Sequence, residues 1–443
     1  MQAIHSPDHA AAFLAGLMNL EKERAPQRRV DLQPIRALLE RLGHPERGLR
    51  VLHIAGSKGK GSVALLAEAL LTAARLRVGT FTSPHLERWT ERFRIAGREV
   101  AGETLAAAVE TLRPHVEALR MGPPETQPTF FDATTAAALS LFRTQHVDCA
   151  ILEVGLGGRL DSTNVVAPAV TCITSIELEH VQRLGSTLAA IAAEKAGIVK
   201  PAVPIAIGRL LPEAVDVVRE RAAAQGAPLF QLGKDFAAVV ECEGLDGLVL
   251  RFEEEGFACR MELPLLGRHQ VDNAALALAC ARRLVSASEV DWRAAVARAA
   301  PDLRLPGRLE VLTRKPWIVV DCAHTAASAT ALAGILATIP RRRAHLVFSI
   351  SADKDLVAVL SPLLVGIDEL TLTRADPVRS CDPEIVAESA RRLSSDVKLS
   401  VVPDPDLALR TAREKLASDD LLCAAGSVYL AGIARRLFAA NQG

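Results

Sequence analysis

The chain has 443 residues, 49% of them hydrophobic and 4% aromatic, with 52 Lys and Arg balanced by 52 Asp and Glu. That length corresponds to roughly two or three domains of about 150 residues, and the apolar share excludes disorder, collagen-like repeats and a disulfide-held mini-protein. Zero net charge leaves no electrostatic footprint for nucleic acid and no apolar run reaches the roughly 18 to 20 residues that span a bilayer, so a soluble cytoplasmic protein with neither partner is expected. The opening MQAIHSPDHAAAFLAGLMNLEKER lacks a basic start and a small-residue cleavage site, so it does not read as a leader. Cys149, Cys172, Cys242, Cys259, Cys280, Cys322, Cys381 and Cys423 form no C-x-x-C pair, and most read as small core residues.

In chain order, short β-branched runs alternate with Ala/Leu-rich amphipathic stretches, the pattern of parallel strands joined by crossover helices. Strands are predicted at Val51–Ala55, Val147–Val154, Val170–Ile176 and Val203–Ile207, with helices at Ser62–Arg75, Asp132–Gln145 and Thr187–Val199. From Ala237 to Leu263, glycine-punctuated segments predict antiparallel hairpins at the edge of the larger sheet, followed by a helix over Gln270–Val285. PDLRLPGR, Pro301–Arg308, reads as a linker. It divides a larger α/β domain, 1–300, from a smaller Rossmann-like α/β domain, 309–443. Strands in the second are expected at Trp317–Asp321, Leu346–Ile350, Glu369–Thr373, Leu399–Val402 and Leu421–Ala424.

The sharpest local signal is VLHIAGSKGKGSVALLAEAL, an apolar strand, a glycine-rich turn and a helix starting near Gly61 or Ser62. Gly56, Gly59 and Gly61 permit close backbone approach, the turn, which includes Ser57 and Lys58, presents backbone N–H groups to ATP phosphate, and Lys60 reaches the outer oxygens. The strict G-x-x-x-x-G-K-[ST] pattern fails, because Ile54 stands where its first glycine belongs and Gly61 where its hydroxyl belongs. This is a shorter G-x-x-G-K-G-S variant of a phosphate-binding loop.

From this loop onward the sequence resembles the folylpolyglutamate synthase and dihydrofolate synthase branch of the Mur ligase superfamily. The resemblance runs in order through TSPHLERWTERFRIAG (Thr82–Gly97), TFFDATT (Thr129–Thr135), LEVGLGGRLDSTN (Leu152–Asn164), TSIELEHVQRLG (Thr174–Gly185), EKAGIVK (Glu194–Lys200), HQVDNAALA (His269–Ala277), LPGRLEV (Leu305–Val311), VVDCAHT (Val319–Thr325) and DKD (Asp353–Asp355). It departs from the common bacterial pattern at Lys58, at Thr325–Ala326 and at Asp132. Lys58 and the Asp321-Cys-Ala-His-Thr-Ala block resemble eukaryotic forms that extend a glutamate tail, which leaves the first glutamylation of dihydropteroate open.

The resemblance implies ATP-dependent joining of L-glutamate to a folate carboxylate, with tetrahydrofolate as acceptor and ATP as co-substrate. It implies two magnesium ions, Ser83 and Glu153 serving one and His180 the second, with Lys195 carbamylated in the same site and Ser62 supplying the loop hydroxyl. Lys60, Glu153, His180 and Lys195 would form the catalytic set. Asn273 and Arg308 would contact ATP, Asp321 the ribose hydroxyls, and His324 the base or ribose, as the second domain closes over the nucleotide. Thr129, Phe130, Phe131, Asp132, Leu160, Asp161 and Ser162 would face the pterin. Read from the residues alone, Lys195 is a helix-surface lysine, Arg308 an interdomain ion pair, and Phe130 with Phe131 a piece of core.

Two rivals stand beside this reading. A muramoyl-peptide ligase uses the same chemistry but carries a UDP-binding domain ahead of its loop, and 55 residues precede Gly56 here. A regulatory or noncatalytic ATP-binding protein would not need Glu153, His180 and Lys195 together. A monomer is expected, because two domains already form a cleft.

Overall fold

The computed structural model describes Ile4 and residues 6–19 and 31–439. Parts of the opening stretch (residues 1–3, 5 and 20–30) and residues 440–443 lie outside these described residues. The chain divides into two units between Leu303 and Arg304, with Cys242–Leu248 and Leu263–Arg268 grouped with the second. A single linker at 301–308 does not anticipate those two short segments.

The first unit is built on eight strands: β1 Val51–Ala55, β2 Val78–Phe81, β3 Phe93–Ile95, β4 Arg98–Glu99, β5 Cys149–Glu153, β6 Val170–Ile173, β7 Ile205–Ile207 and β8 Leu229–Gln231. Their order is β4-β3-β2-β5-β1-β6-β7-β8. All pairings from β2 to β8 are parallel, and β3 and β4 add an antiparallel edge. β1 and β5 are buried along their whole length, which is why both are mostly apolar, with His53 and Glu153 their polar exceptions. Ile54 pairs with Glu153 and Ala55 with Ile173, so β1 ends level with both neighbours and their following loops gather at the carboxyl edge.

Helix Lys60–Ala73 buries Val63, Ala64, Leu66, Ala67, Leu70 and Leu71, and packs on helix His269–Leu284. Each such leucine contributes about 1.5 to 3 kcal/mol of burial. The second helix is alanine-rich at its buried positions, which lets the two backbones approach closely. Helix Phe130–Thr144 lays Phe142 against Gly79 of β2; a Cβ there would fall 2.5 Å from the ring.

Strands β9 Phe236–Gly244, β10 Gly247–Glu254 and β11 Phe257–Leu263 form a separate three-stranded sheet, ordered β11-β10-β9. The hairpin expectation is right, but its placement on the edge of the larger sheet is corrected, since β8 ends that sheet. Two-residue links join these strands, a length that only antiparallel neighbours use.

The second unit holds β12 Glu310–Arg314, β13 Trp317–Val320, β14 Ala344–Phe348, β15 Glu369–Leu372, β16 Lys398–Val401 and β17 Leu421–Ala425, ordered β12-β13-β17-β14-β15-β16. Only β12 is antiparallel to its neighbour. Ala329, Leu332 and Leu336 of helix Ala326–Thr338 join Val319, Leu346, Phe348 and Leu370 in its core.

Candidate active site

The loop after β1 is held by the strand beside it. Gly56 has φ of +148°, and a Cβ there would lie 1.9 Å from Thr174 Oγ1, so glycine alone fits. Ser57 N–H donates to Ser175 O at 2.8 Å, Lys58 N–H donates to Ser175 Oγ at 2.9 Å, and Ser57 Oγ accepts from Glu177 N–H at 2.9 Å. Thr174 Oγ1 donates to Lys58 O at 2.5 Å. Gly59, at φ +82°, is the turn residue before the helix, which starts at Lys60 rather than Gly61. A Cβ on Gly59 would meet Asn273 Oδ1 at 2.5 Å, which places that asparagine directly over the loop. Asn273 is itself oriented by donating to Gln270 Oε1 at 2.9 Å. The result is a fixed turn opening into the positive end of a 14-residue helix.

Lysines surround this turn. Lys60 Nζ donates to Gly56 O at 2.9 Å. Lys195 also donates to Gly56 O, at 2.9 Å, and to Glu179 Oε1 at 3.0 Å. Lys58 Nζ lies 3.7 Å from Glu179 Oε2. Contrary to the helix-surface reading, Lys195 is only 1% exposed. Burial, then the charge of Lys60, pushes its pKa down to about 8 against the opposing pull of Glu179. For Glu179, burial alone would raise the pKa, but Lys195, Lys60 and Lys58 hold it down at about 2. The sequence reading missed Glu179; the acids flanking Leu178 in TSIELEH, beside a lysine-rich loop, were the available signal.

Glu153 closes β5 and is buried. Ser83, two residues past β2, donates its N–H to Glu153 Oε2 at 3.0 Å. A Cβ on Gly61 would sit 3.4 Å from the same oxygen, so the carboxylate lies against the first turn of the loop helix. Ser83, Glu153, Lys60 and the loop are thus one constellation, with Lys195 on the Gly56 carbonyl. His180 lies in the segment that follows β6. It stands seven residues beyond Ile173, exposed, with φ of +47°, at the start of helix Val181–Leu184. Among the described residues no group of three or more His, Cys, Asp or Glu is arranged to hold a metal. Glu153 and Ser83 nevertheless offer hard oxygen donors beside a phosphate-type loop, and these suit magnesium.

The segments expected to face a pterin are largely occupied with one another. Asp132 Oδ2 accepts from Thr129 N–H at 2.8 Å and Thr129 Oγ1 at 2.7 Å, forming a capping box, while Oδ1 accepts from Ser162 Oγ at 2.7 Å. Phe130 is buried, edge-on to Trp89 at 5.6 Å and 5.3 Å from the Arg92 guanidinium, so it is a core residue. Phe131 is half-buried, 5.9 Å from Phe81 and against Gly155. Leu160 packs against the same core. Asp161 Oδ2 accepts from Gly155 N–H at 3.0 Å and Leu156 N–H at 2.9 Å, and Oδ1 from Thr163 N–H at 3.0 Å.

In the second unit, Asp321 follows β13. Its oxygens accept from Leu309 N–H at 2.6 Å and Ala323 N–H at 2.7 Å. Burial raises its pKa to about 6, partly opposed by those bonds and by Arg308. His324 Nδ1 donates to Cys322 O at 2.7 Å. Arg308 Nη1 donates to Gly307 O at 3.3 Å.

The chain is similar to known proteins in sequence and in fold. Residues 54–281 match the Mur ligase middle domain, and residues 307–428 the glutamate ligase domain of Mur ligases. The chain is 33% identical to the dihydrofolate synthase/folylpolyglutamate synthase of Mycobacterium tuberculosis, covering 98% of this chain and 96% of the relative. A solved structure of folylpolyglutamate synthase from that organism, complexed with ADP, superposes with a TM-score of 0.88 at 32% identity, covering 98% of each chain. Escherichia coli FolC, in complex with DHPP and ADP, has a TM-score of 0.83 at 29% identity, covering all of both chains.

Proposed function

Because the chain belongs to the folylpolyglutamate synthase and dihydrofolate synthase family of Mur ligases, we infer that it joins L-glutamate to a folate carboxylate at the expense of ATP. A carboxylate is a poor electrophile. Transfer of the terminal phosphoryl group gives an acyl phosphate and ADP; the glutamate amine then attacks its carbonyl, and collapse of the tetrahedral intermediate forms the amide and releases phosphate. Holding the reactants together can remove roughly 7 to 11 kcal/mol of barrier, so positioning and charge neutralisation outweigh any single acid or base. The observation that carries this reading is the meeting of the Gly56–Lys60 turn, Glu153 and Ser83 at one sheet edge.

In this reading Lys60 exchanges the Gly56 carbonyl for phosphate oxygens, and the helix amides of Gly61 and Ser62 face the same anion. Glu153 and Ser83 would hold a magnesium ion, and His180 would serve a second. Bound magnesium would neutralise charge between phosphate and acceptor carboxylate. The lowered pKa of Lys195 gives it a larger share of neutral amine than an ordinary lysine, and addition of carbon dioxide to that amine with loss of a proton would turn a buried cation into an anion. Asn273, Arg308, Asp321 and His324 serve the nucleotide, and Leu160–Ser162 with Phe131 the pterin. We place the enzyme in the cytoplasm, acting as a monomer with tetrahydrofolate as its acceptor.

The test is purified protein with ATP, magnesium and labelled glutamate, offered tetrahydrofolate and dihydropteroate in parallel. Labelled product from tetrahydrofolate is expected. Product from dihydropteroate as well would make the enzyme bifunctional, and product from neither would overturn the assignment.

A further inference from the structure

Among the buried polar groups that the proposed chemistry leaves unused is His53. It is the middle residue of β1, fully buried among Val51, Leu52, Ile54 and Ala55. Burial pushes its pKa down to about 3, so it is a neutral imidazole and no acid or base at neutral pH. Its Nε2 lies 2.8 Å from Thr163 Oγ1, which lies 2.5 Å from Asp161 Oδ1. A carboxylate only accepts, so the single hydroxyl proton goes to Asp161 and the hydroxyl oxygen receives Nε2–H. That tautomer leaves His53 Nδ1 as a buried acceptor with no partner among the described residues.

An orphaned nitrogen in the middle of a parallel sheet is a standing cost that an aliphatic side chain would avoid. Packing alone therefore does not account for imidazole at this position. What histidine adds is a directed donor at the start of a relay. Asp161, at its other end, holds the amides of Gly155 and Leu156, in the turn that directly follows Glu153. Asp161 and Ser162 also form the segment assigned above to the acceptor, and Ser162 ties that segment to Asp132.

We propose that His53 is a positioning residue for the folate acceptor, acting through Thr163 and Asp161 to fix the 155–162 loop. The inference rests on the folate-ligase reading and adds a residue that touches neither substrate nor nucleotide. The relay is local to the acceptor loop, whereas the phosphate turn is pinned independently by Thr174, Ser175 and Glu177. Breaking the relay should therefore weaken acceptor binding and spare ATP.

The experiment compares wild type with His53→Leu, Thr163→Val, the double variant, His53→Gln and Thr163→Ser, by steady-state kinetics in tetrahydrofolate and ATP and by melting temperature. Each broken relay should raise the acceptor KM about tenfold, with the ATP KM within about twofold, and the double variant should be no worse than either single, as expected for residues acting as one unit. His53→Gln and Thr163→Ser, which keep a donor and a hydroxyl, should return toward wild type. A purely structural role would lower the melting temperature and move neither KM. Wild-type acceptor KM in folded His53→Leu and Thr163→Val, additive losses, or an equal rise in ATP KM would each overturn the proposal. If His53→Leu fails to fold, the Thr163→Val and Thr163→Ser pair decides alone. A wild-type protein without folate-dependent turnover would overturn the functional reading and this one with it, whereas normal wild-type turnover with unaltered variants removes only the relay.

Discussion

The Gly56–Lys60 turn and the acceptor segments Thr129–Asp132 and Leu160–Ser162 lie in one unit but use their polar groups in opposite ways. In the turn, the amides of Ser57 and Lys58 and the hydroxyl of Ser57 bind the segment after β6, and the lysines and the first amides of the following helix are what is offered to an anion. In the acceptor segments, the two carboxylates that look most like ligands are spent on the protein, Asp132 as a capping box with Ser162 attached and Asp161 as the anchor of the turn after β5. The difference separates residues that touch a ligand from residues that hold such residues still. Substitutions in the first class should abolish turnover at little cost in stability, and those in the second should cost stability and acceptor affinity together.

The sharpest way to break that comparison is Lys60→Ala. Its amine donates to the carbonyls of Gly56 and Ser57, so the variant should melt near wild type yet lose turnover by about a thousandfold, the scale of removing an electrostatic contact made in the transition state. Substantial residual activity would place Lys60 outside the site. Gly59→Ala should come next. Its Cβ would collide with Asn273 at a φ of +82°, costing about 1 to 3 kcal/mol of strain, and the ATP KM should rise while the acceptor KM does not. An unchanged ATP KM would separate the loop from the nucleotide.

A smaller, graded effect is expected at Lys195. Burial and Lys60 lower its pKa, so the reactive neutral amine becomes more abundant as pH rises through about 8. Mass spectrometry in bicarbonate, with Lys195→Arg as control, should show carbon dioxide adduct growing with pH in the wild type and absent in the variant. A pH-independent adduct, or none, would contradict the modification. Smallest is Asp132→Ala, which removes the reciprocal half of a capping box. Stability should fall by about 1 to 2 kcal/mol, with a modest rise in acceptor KM and little change in kcat at saturating folate. A collapse of kcat would mean that Asp132 touches the reacting groups after all.

What was legible in the sequence follows the same division. Gly56, Gly59 and Lys60 could be read because their chemistry is local: a strand, a turn needing positive φ and a helix follow one another in the chain. Glu153 was legible as the last residue of a buried run. The buried state of Lys195 was not, since EKAG at a helix end looks the same on a surface, and only the Gly56 carbonyl and Glu179 distinguish it. His53 was hidden for a related reason: it reads as one polar residue inside a strand, and its partner Thr163 is 110 positions away. The β9–β11 sheet was recognised by its turns but misplaced, since turn chemistry specifies hairpins and not the sheet they join.

The central claim is that the acceptor carboxylate is phosphorylated before glutamate attacks. Tetrahydrofolate carrying heavy oxygen in its reacting carboxylate, turned over with ATP and glutamate, tests it most directly. One labelled oxygen should appear in the released inorganic phosphate for each amide formed. Phosphate free of label, with glutamate still incorporated, would contradict the account.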